Sequence, residues 1–176
     1  MAIKVYKPTT PGRRNASVID YKKELTTSKR EKTLCKRIKK HGGRNNQGKT
    51  TCRFRGGGAK KIYRIIDFKR NKDNISAKVM SIEYDPNRNC FISLVQYEDG
   101  EKRYVLAPTR LKVGDVIESG PDVEPKIGNS MPLQRIPVGV EVHNIEMKPG
   151  QGGKMVRTAG GTARVMAKEG DWVTII

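Results

Sequence analysis

The stretch Gly42–Lys72, GGRNNQGKTTCRFRGGGAKKIYRIIDFKRNK, decides how the chain is read. Arg44, Lys49, Arg53, Arg55, Lys60, Lys61, Arg64, Lys69, Arg70 and Lys72 stand among two glycine clusters, and Asp67 is the only acid in the stretch. Lysine and arginine neutralise phosphates, and glycine lets a backbone approach a ligand closely. Up to Lys61 the stretch is too rich in glycine and charge to form a core element. From Ile62 it turns apolar and β-branched, the signal of a strand.

The charge of the whole chain leans the same way. Residues 1–72 carry 23 Lys and Arg against 4 Asp and Glu, and residues 73–176 carry 13 against 14, so the net +18 of the 176-residue chain resides in its first part. A surplus of that density repels itself unless a polyanion is present, so nucleic acid is the expected partner. Membrane binding is disfavoured, because no twenty-residue apolar run and no amphipathic basic helix is found. Cys35, Cys52 and Cys90 are too widely spaced for a CxxC pair, so neither disulfide framework nor zinc site is expected, and no other metal or cofactor is. The opening MAIKVYKP lacks the apolar segment of a secretory signal.

Three parts are expected. Residues 1–60 form a basic N-terminal extension: residues 1–41 read as an extended arm that orders on its partner, with a short basic helix over Leu34–Lys40. Residues 61–120 hold five strand signals, over 62–68, 79–84, 91–97, 103–107 and 112–117, separated by the turn cluster Asp85–Asn89 and the Asp99-Gly100 hairpin signal. They suggest a small closed barrel of the oligonucleotide-binding kind, with Met80, Ile82 and Tyr84 sharing one face. Residues 121–176 comprise a Pro- and Gly-rich connection and a second small barrel over 139–176. That barrel's pattern stops on an apolar strand, which gives the expectation of a chain that ends short of a finished domain. The class is therefore mainly β, with few aromatics, most of which alternation places in the core, Trp172 included.

One motif competes with this reading. Gly43-Arg44-Asn45-Asn46-Gln47-Gly48-Lys49-Thr50 matches the phosphate-cradling G-x-x-x-x-G-K-[ST] pattern. That loop needs a buried strand before it and a helix after it. Here Leu34–Lys40 is too basic for a central parallel strand, and Gly56-Gly57-Gly58 would break the helix. Nucleotide hydrolysis is thus the alternative function, with the match expected to be chance. A general translation factor or chromatin-type binder is a third reading. Enzyme constellations are lacking: His41 lies in the basic arm, and His143 alternates with Val140 and Val142 as a structural histidine would.

GGRNNQGKTTCRFRGGGAKKIYRIIDFKR, SIEYDPNRN, DGEKRYVLAP, IPVGVEVHNIEMKPGQGGKMVRTAG and AKEG together resemble the bacterial-type L-two family, the second protein of the large ribosomal subunit, in order along nearly the whole chain. The resemblance implies an extension, an oligonucleotide-binding (OB) barrel and an SH3-like barrel, and a structural rather than enzymatic role. The implied partners are large-subunit rRNA, neighbouring ribosomal proteins and the small subunit at the interface. It implies support for subunit association, tRNA binding and assembly of the peptidyl-transferase centre, on a bacterial or organellar ribosome. It carries rRNA contact onto Arg70 and Lys72, Arg88 and Arg157. Gly161 stands where many members have Thr, and neither histidine corresponds to the one in the family's basic C-terminal tail. If each of these cations is a phosphate contact, Arg70→Ala should lower the salt slope of RNA binding by about one.

Overall fold

The computed structural model describes residues 2–176. Strand β1 (Ile3–Val5) pairs with β2 (Ser17–Ile19), and a four-residue helix α1 (Tyr21–Glu24) follows, its N-terminus capped by the Asp20 carboxylate. Strand β3 (Cys35–Arg37) pairs antiparallel with β4 (Ile62–Arg64). The chain then builds β5 (Ala77–Glu83), β6 (Ile92–Tyr97), β7 (Lys102–Leu106) and β8 (Val116–Ile117) into a sheet of order β7-β6-β5-β8. A parallel bridge between Ile66 and Tyr104 ties the continuation of β4 to β7 and curls the two sheets together. An irregular connection with one 3-10 turn at Leu133–Arg135 leads to β9 (Glu141–Val142), β10 (Ala163–Glu169) and β11 (Trp172–Ile175), a sheet of order β11-β10-β9. The protein is mainly β, with curled sheets that fit an OB-like and an SH3-like barrel.

Two apolar clusters make the core of the first barrel. Ala77, Val79, Val95, Tyr97, Val105, Leu111 and Ile117 form one. Ile66, Ile92, Tyr104 and Leu106 form the other, with Leu34, Phe68, Cys90 and Leu94 packed on it. The docking of Leu34 and Phe68 means that segments flanking the basic stretch are held by the core.

Several expectations are corrected here. Residues 34–40 form no helix: Cys35–Arg37 is a strand, because its backbone finds a ladder partner in Ile62–Arg64. Part of the segment read as an arm, from Tyr21 to Cys35, packs against the barrel, while β1 and β2 pair with each other and are largely exposed. Tyr21 packs edge-on against Tyr84 and Phe91, at 5.4 and 6.0 Å between ring centroids. Thr26 donates from its backbone to Ile82 O (3.2 Å) and accepts Ile82 N at its hydroxyl (2.8 Å). That exchange satisfies the edge of β5 beyond the short β8, where the ladder would otherwise be open. Met80, Ile82 and Tyr84 do share a face, but it is the outer one, and Met80 and Tyr84 are exposed. Trp172 is 81% exposed at the turn end of the β10–β11 hairpin, paired only with Glu169 across the ladder. Strand-like alternation is the same for an inner and an outer face, so it could not place either residue.

The inner face of β5 ends in polar groups. Ser81, Glu83 and Asp85 are all buried. Tyr104 donates its hydroxyl to Glu83 Oε2 (2.8 Å) and accepts Glu31 N (2.8 Å), while Ser81 Oγ donates to Glu83 Oε1 (3.0 Å). Burial pushes the Tyr104 phenol well above its ordinary pKa, which keeps it a donor. Asp85 accepts Asn87 N (2.9 Å), Asn87 Nδ2 (2.8 Å) and Arg88 Nε (2.6 Å), with Arg64 Nη1 at 3.6 Å. A buried carboxylate is tolerable only when hydrogen-bonded and paired in this manner.

Tyr104→Phe keeps the ring packing but strips Glu83 of a donor and the Glu31 amide of its acceptor. The expected cost is about 2 kcal/mol of folding stability, read as a lowered midpoint in chemical denaturation. A midpoint equal to that of the unsubstituted chain would show that the network does not link the Glu31 segment to the barrel.

Candidate nucleic-acid interface

Residues 38–61 leave the barrel between β3 and β4 as a long finger. Its root is closed by Lys40 Nζ, which donates to Gly57 O (3.4 Å) and Ala59 O (3.0 Å). Farther out the chain turns back on itself. Gly43 O accepts Thr51 N (2.8 Å), Cys52 N (3.0 Å) and the Thr51 hydroxyl (3.1 Å), and Arg44 bridges to Thr50. Asn45 Oδ1 accepts Gln47 N (3.0 Å) and Lys49 N (2.9 Å). Gly43 has φ +70, and a Cβ there would lie 2.2 Å from Cys52 O, so only glycine permits this closure.

This geometry disposes of the phosphate-loop match. No helix directly follows Thr50, and the amides of Gln47, Gly48 and Lys49 are bonded to Asn45 rather than turned toward a nucleotide. The alternative of nucleotide hydrolysis has no support in the loop that suggested it.

The cations named from the sequence fall into two sets. Arg44, Lys49, Arg53, Arg55, Lys60 and Lys61 are exposed along the finger, and Lys69 is exposed just beyond β4. Arg53 lies over the ring of Phe54, with 5.5 Å from its guanidinium carbon to the ring centroid. The second set is engaged with the protein itself. Arg70 donates Nε to Ser119 Oγ (3.1 Å), Nη1 to Gly128 O (3.2 Å) and Nη2 to Glu118 O (3.5 Å), fastening the connection after β8 to the end of the basic stretch. Burial lowers its pKa from the usual arginine value, and Asp67 offsets part of that. Lys72 is paired with Asp99 and with Glu101 Oε2 (2.7 Å) and sits 4.7 Å over the Tyr97 ring. Arg64 and Arg88 are paired with Asp85. Arg70, expected from the sequence to contact rRNA, thus has its guanidinium bonded to three protein groups.

Phe68 joins residues far apart in sequence. The guanidinium carbons of Arg88 and Arg157 lie 5.8 and 4.7 Å from its ring centroid. Gly153 N donates to Phe68 O (2.9 Å), Cys90 Sγ to Arg157 O (3.3 Å), and Ala159 N to Asn89 Oδ1 (3.3 Å). The loop that carries the exposed Arg157 is thus docked on the first barrel beside Arg88.

Sequence reasoning missed the acids that aim these cations. Asp67 accepts Lys69 N (3.1 Å), Arg70 N (2.9 Å) and Arg103 Nη1 (2.8 Å), which holds Arg70 at φ 51. Asp85 does the equivalent for Arg88. Both stand in an Asp-x-x-Arg turn, Asp67-Phe68-Lys69-Arg70 and Asp85-Pro86-Asn87-Arg88. That repeated pattern was the available signal, since an aspartate opening a turn caps the amides that follow. An open depression of about 470 Å³ is lined by Glu98, Glu118, Asp122 and Glu124, a surface that repels phosphate. Among the described residues no group of His, Cys, Asp and Glu is placed to hold a metal, and no helix is long and apolar enough to cross a membrane. His143 is exposed just after β9.

Two family models match the chain. One, described as Ribosomal Proteins L2, RNA binding N-terminal domain, spans residues 31–119, and the other, Ribosomal Proteins L2, C-terminal domain, spans residues 126–176.

The two sets of cations separate by measurement. Arg55→Ala should leave the melting temperature unchanged and reduce the salt slope of RNA binding by about one, the loss of one phosphate contact. Arg70→Ala should instead lower the melting temperature by several degrees, because Ser119 Oγ and two backbone carbonyls lose their donor. The reverse pattern would show that Arg70 reaches phosphate and Arg55 does not. The ion cluster makes a pH prediction as well. Lys72 holds the Asp99 carboxyl below its ordinary pKa, and Arg103 with Lys72 does the same for Glu101. Folded-state values below the unfolded ones stabilise the fold above the ordinary carboxylate range, and this contribution fades as pH falls through the lowered values. In Lys72→Ala the Asp99 carboxyl should titrate at higher pH by NMR; an unmoved titration would show that the pair does not form in solution.

Proposed function

The chain belongs to the ribosomal protein L2 family, and from that premise we propose how it binds rRNA and which residues do so. The family assigns it a structural and RNA-binding role in the large ribosomal subunit. The observation that carries the mechanism is the finger of residues 38–61, where Arg44, Lys49, Arg53, Arg55, Lys60 and Lys61 stand exposed on a glycine-rich backbone with no acid among them.

A surface of this kind recognises structured RNA mainly through phosphates and shape. In this reading the finger cations and Lys69 contact phosphates directly, and Arg157 extends the surface beside Phe68. Arg64, Arg70, Lys72 and Arg88 act chiefly by fixing the root of the finger and the neighbouring loops, since their guanidinium and ammonium groups have protein partners. Residues 1–60, 61–120 and 121–176 serve as extension, OB-like domain and SH3-like part. The β3–β4 pairing crosses the first of those boundaries, so the extension is stitched into the domain it precedes.

The finer role we assign follows the family resemblance. The protein supports assembly of the peptidyl-transferase centre, tRNA binding and subunit association, with the rRNA carrying out the chemistry. Its partners are large-subunit rRNA, neighbouring ribosomal proteins and the small subunit at the interface, on a bacterial or organellar ribosome.

The test is binding of the chain to large-subunit rRNA and to a generic duplex RNA across a salt series. Tighter binding to rRNA, with a steep salt dependence, is the expected result. Equal, weak binding to both would reduce the finger to a generic polycation and overturn the proposal.

A further inference from the structure

We propose that Phe54 stacks on an unpaired nucleobase of the bound rRNA, an inference that rests on the rRNA-binding reading above. The ring is 97% exposed, the highest value of any large apolar side chain described. Its backbone is in the left-handed region at φ 62, a conformation uncommon for any residue but glycine and a clear outlier for a bulky one. No packing in the protein accounts for that conformation, since nothing buries the side chain it displays. Strain held at an exposed aromatic points to a partner outside the chain.

The surroundings specify the partner's chemistry. Phe54 lies between Arg53 and Arg55 on a finger lined with cations. An aromatic face between phosphate-binding groups is the arrangement with which proteins hold bases of single-stranded or looped RNA. The Arg53 guanidinium already lies over the ring, at 5.5 Å, and the exposure of the ring leaves its opposite face open. A wedge between base-pair steps needs both faces free. One free face with a cation behind it fits a single base, and the cation polarises the ring toward that stack. The fixed direction of the finger supplies the rest: Gly43 packed on Cys52 closes the turn four residues before Gly56, so Phe54 sits on a short constrained segment.

The experiment uses the full chain and large-subunit rRNA. Phe54→Ala should bind about 5- to 150-fold more weakly, the range seen when a stacked aromatic is removed. The salt slope should stay that of the unsubstituted chain, because no phosphate contact is lost. Its melting temperature should also be unchanged, since the ring touches no core residue. Phe54→Leu should be as weak as Phe54→Ala; full affinity with leucine would mean simple apolar contact and overturn stacking. In a Trp172→Phe background, Phe54→Trp should keep its affinity and show tryptophan emission quenched on adding rRNA. Unquenched emission, or Phe54→Ala binding as tightly as the unsubstituted chain, would overturn the inference while leaving the rRNA-binding reading intact. If the unsubstituted chain itself shows no preference for rRNA, that reading falls, and this one with it.

Discussion

The Asp85 carboxylate is the constraint on which the rest of the surface depends. It is fully buried, just past the end of a strand whose inward residues pass from Ala77 and Val79 to Ser81 and Glu83. A charge in that position is sustained only by donors drawn from several segments. Arg64 reaches it from β4, and Arg88 and the Asn87 amides from the turn after β5. Asn87 Nδ2 also holds Ile62 O at 2.8 Å. The strand on which the finger ends is thereby fixed to the barrel. The adjoining Glu83–Tyr104–Glu31 chain does the same for the segment that leads into β3. Both ends of the finger are tied to one buried polar patch.

That arrangement explains how so much positive charge can be carried by a modest core. The first barrel pairs part of the surplus with its own acids, at the buried Asp85, the half-buried Asp67 and the exposed Asp99 and Glu101. The remainder is displayed on the finger, with no carboxylate between Arg44 and Lys61 to compensate it. Direct repulsion there is relieved only when counter-charge arrives, so the surface is built to release counterions on meeting a polyanion.

The docking of the second half adds reach. The loop of residues 150–159 contacts Phe68 and Cys90 through its backbone, so Arg157 is placed beside Arg88 by hydrogen bonds between the two halves. Two loops far apart in sequence therefore present cations on one aromatic ring, with Arg157 exposed and Arg88 half-buried.

The sequence by itself determined the class of the fold and the stretch that leaves the core as an exposed basic finger. Strand signals at 79–84, 91–97 and 103–107 are local consequences of β-branched runs between turn residues, and they became β5, β6 and β7. The finger was legible because charge and glycine over residues 42–61 exclude a core element whatever the surroundings. Tertiary structure alone decided which cations are free. Arg55 and Arg70 are the same residue type in the same basic stretch, yet one meets solvent and the other Ser119, Gly128 and Glu118, which lie nearly fifty or more residues away. It also decided that Trp172 faces outward and that the 34–40 segment is a strand. In each case the outcome depends on a partner across the fold, and long-range pairing of that kind leaves no periodicity in the sequence that encodes it.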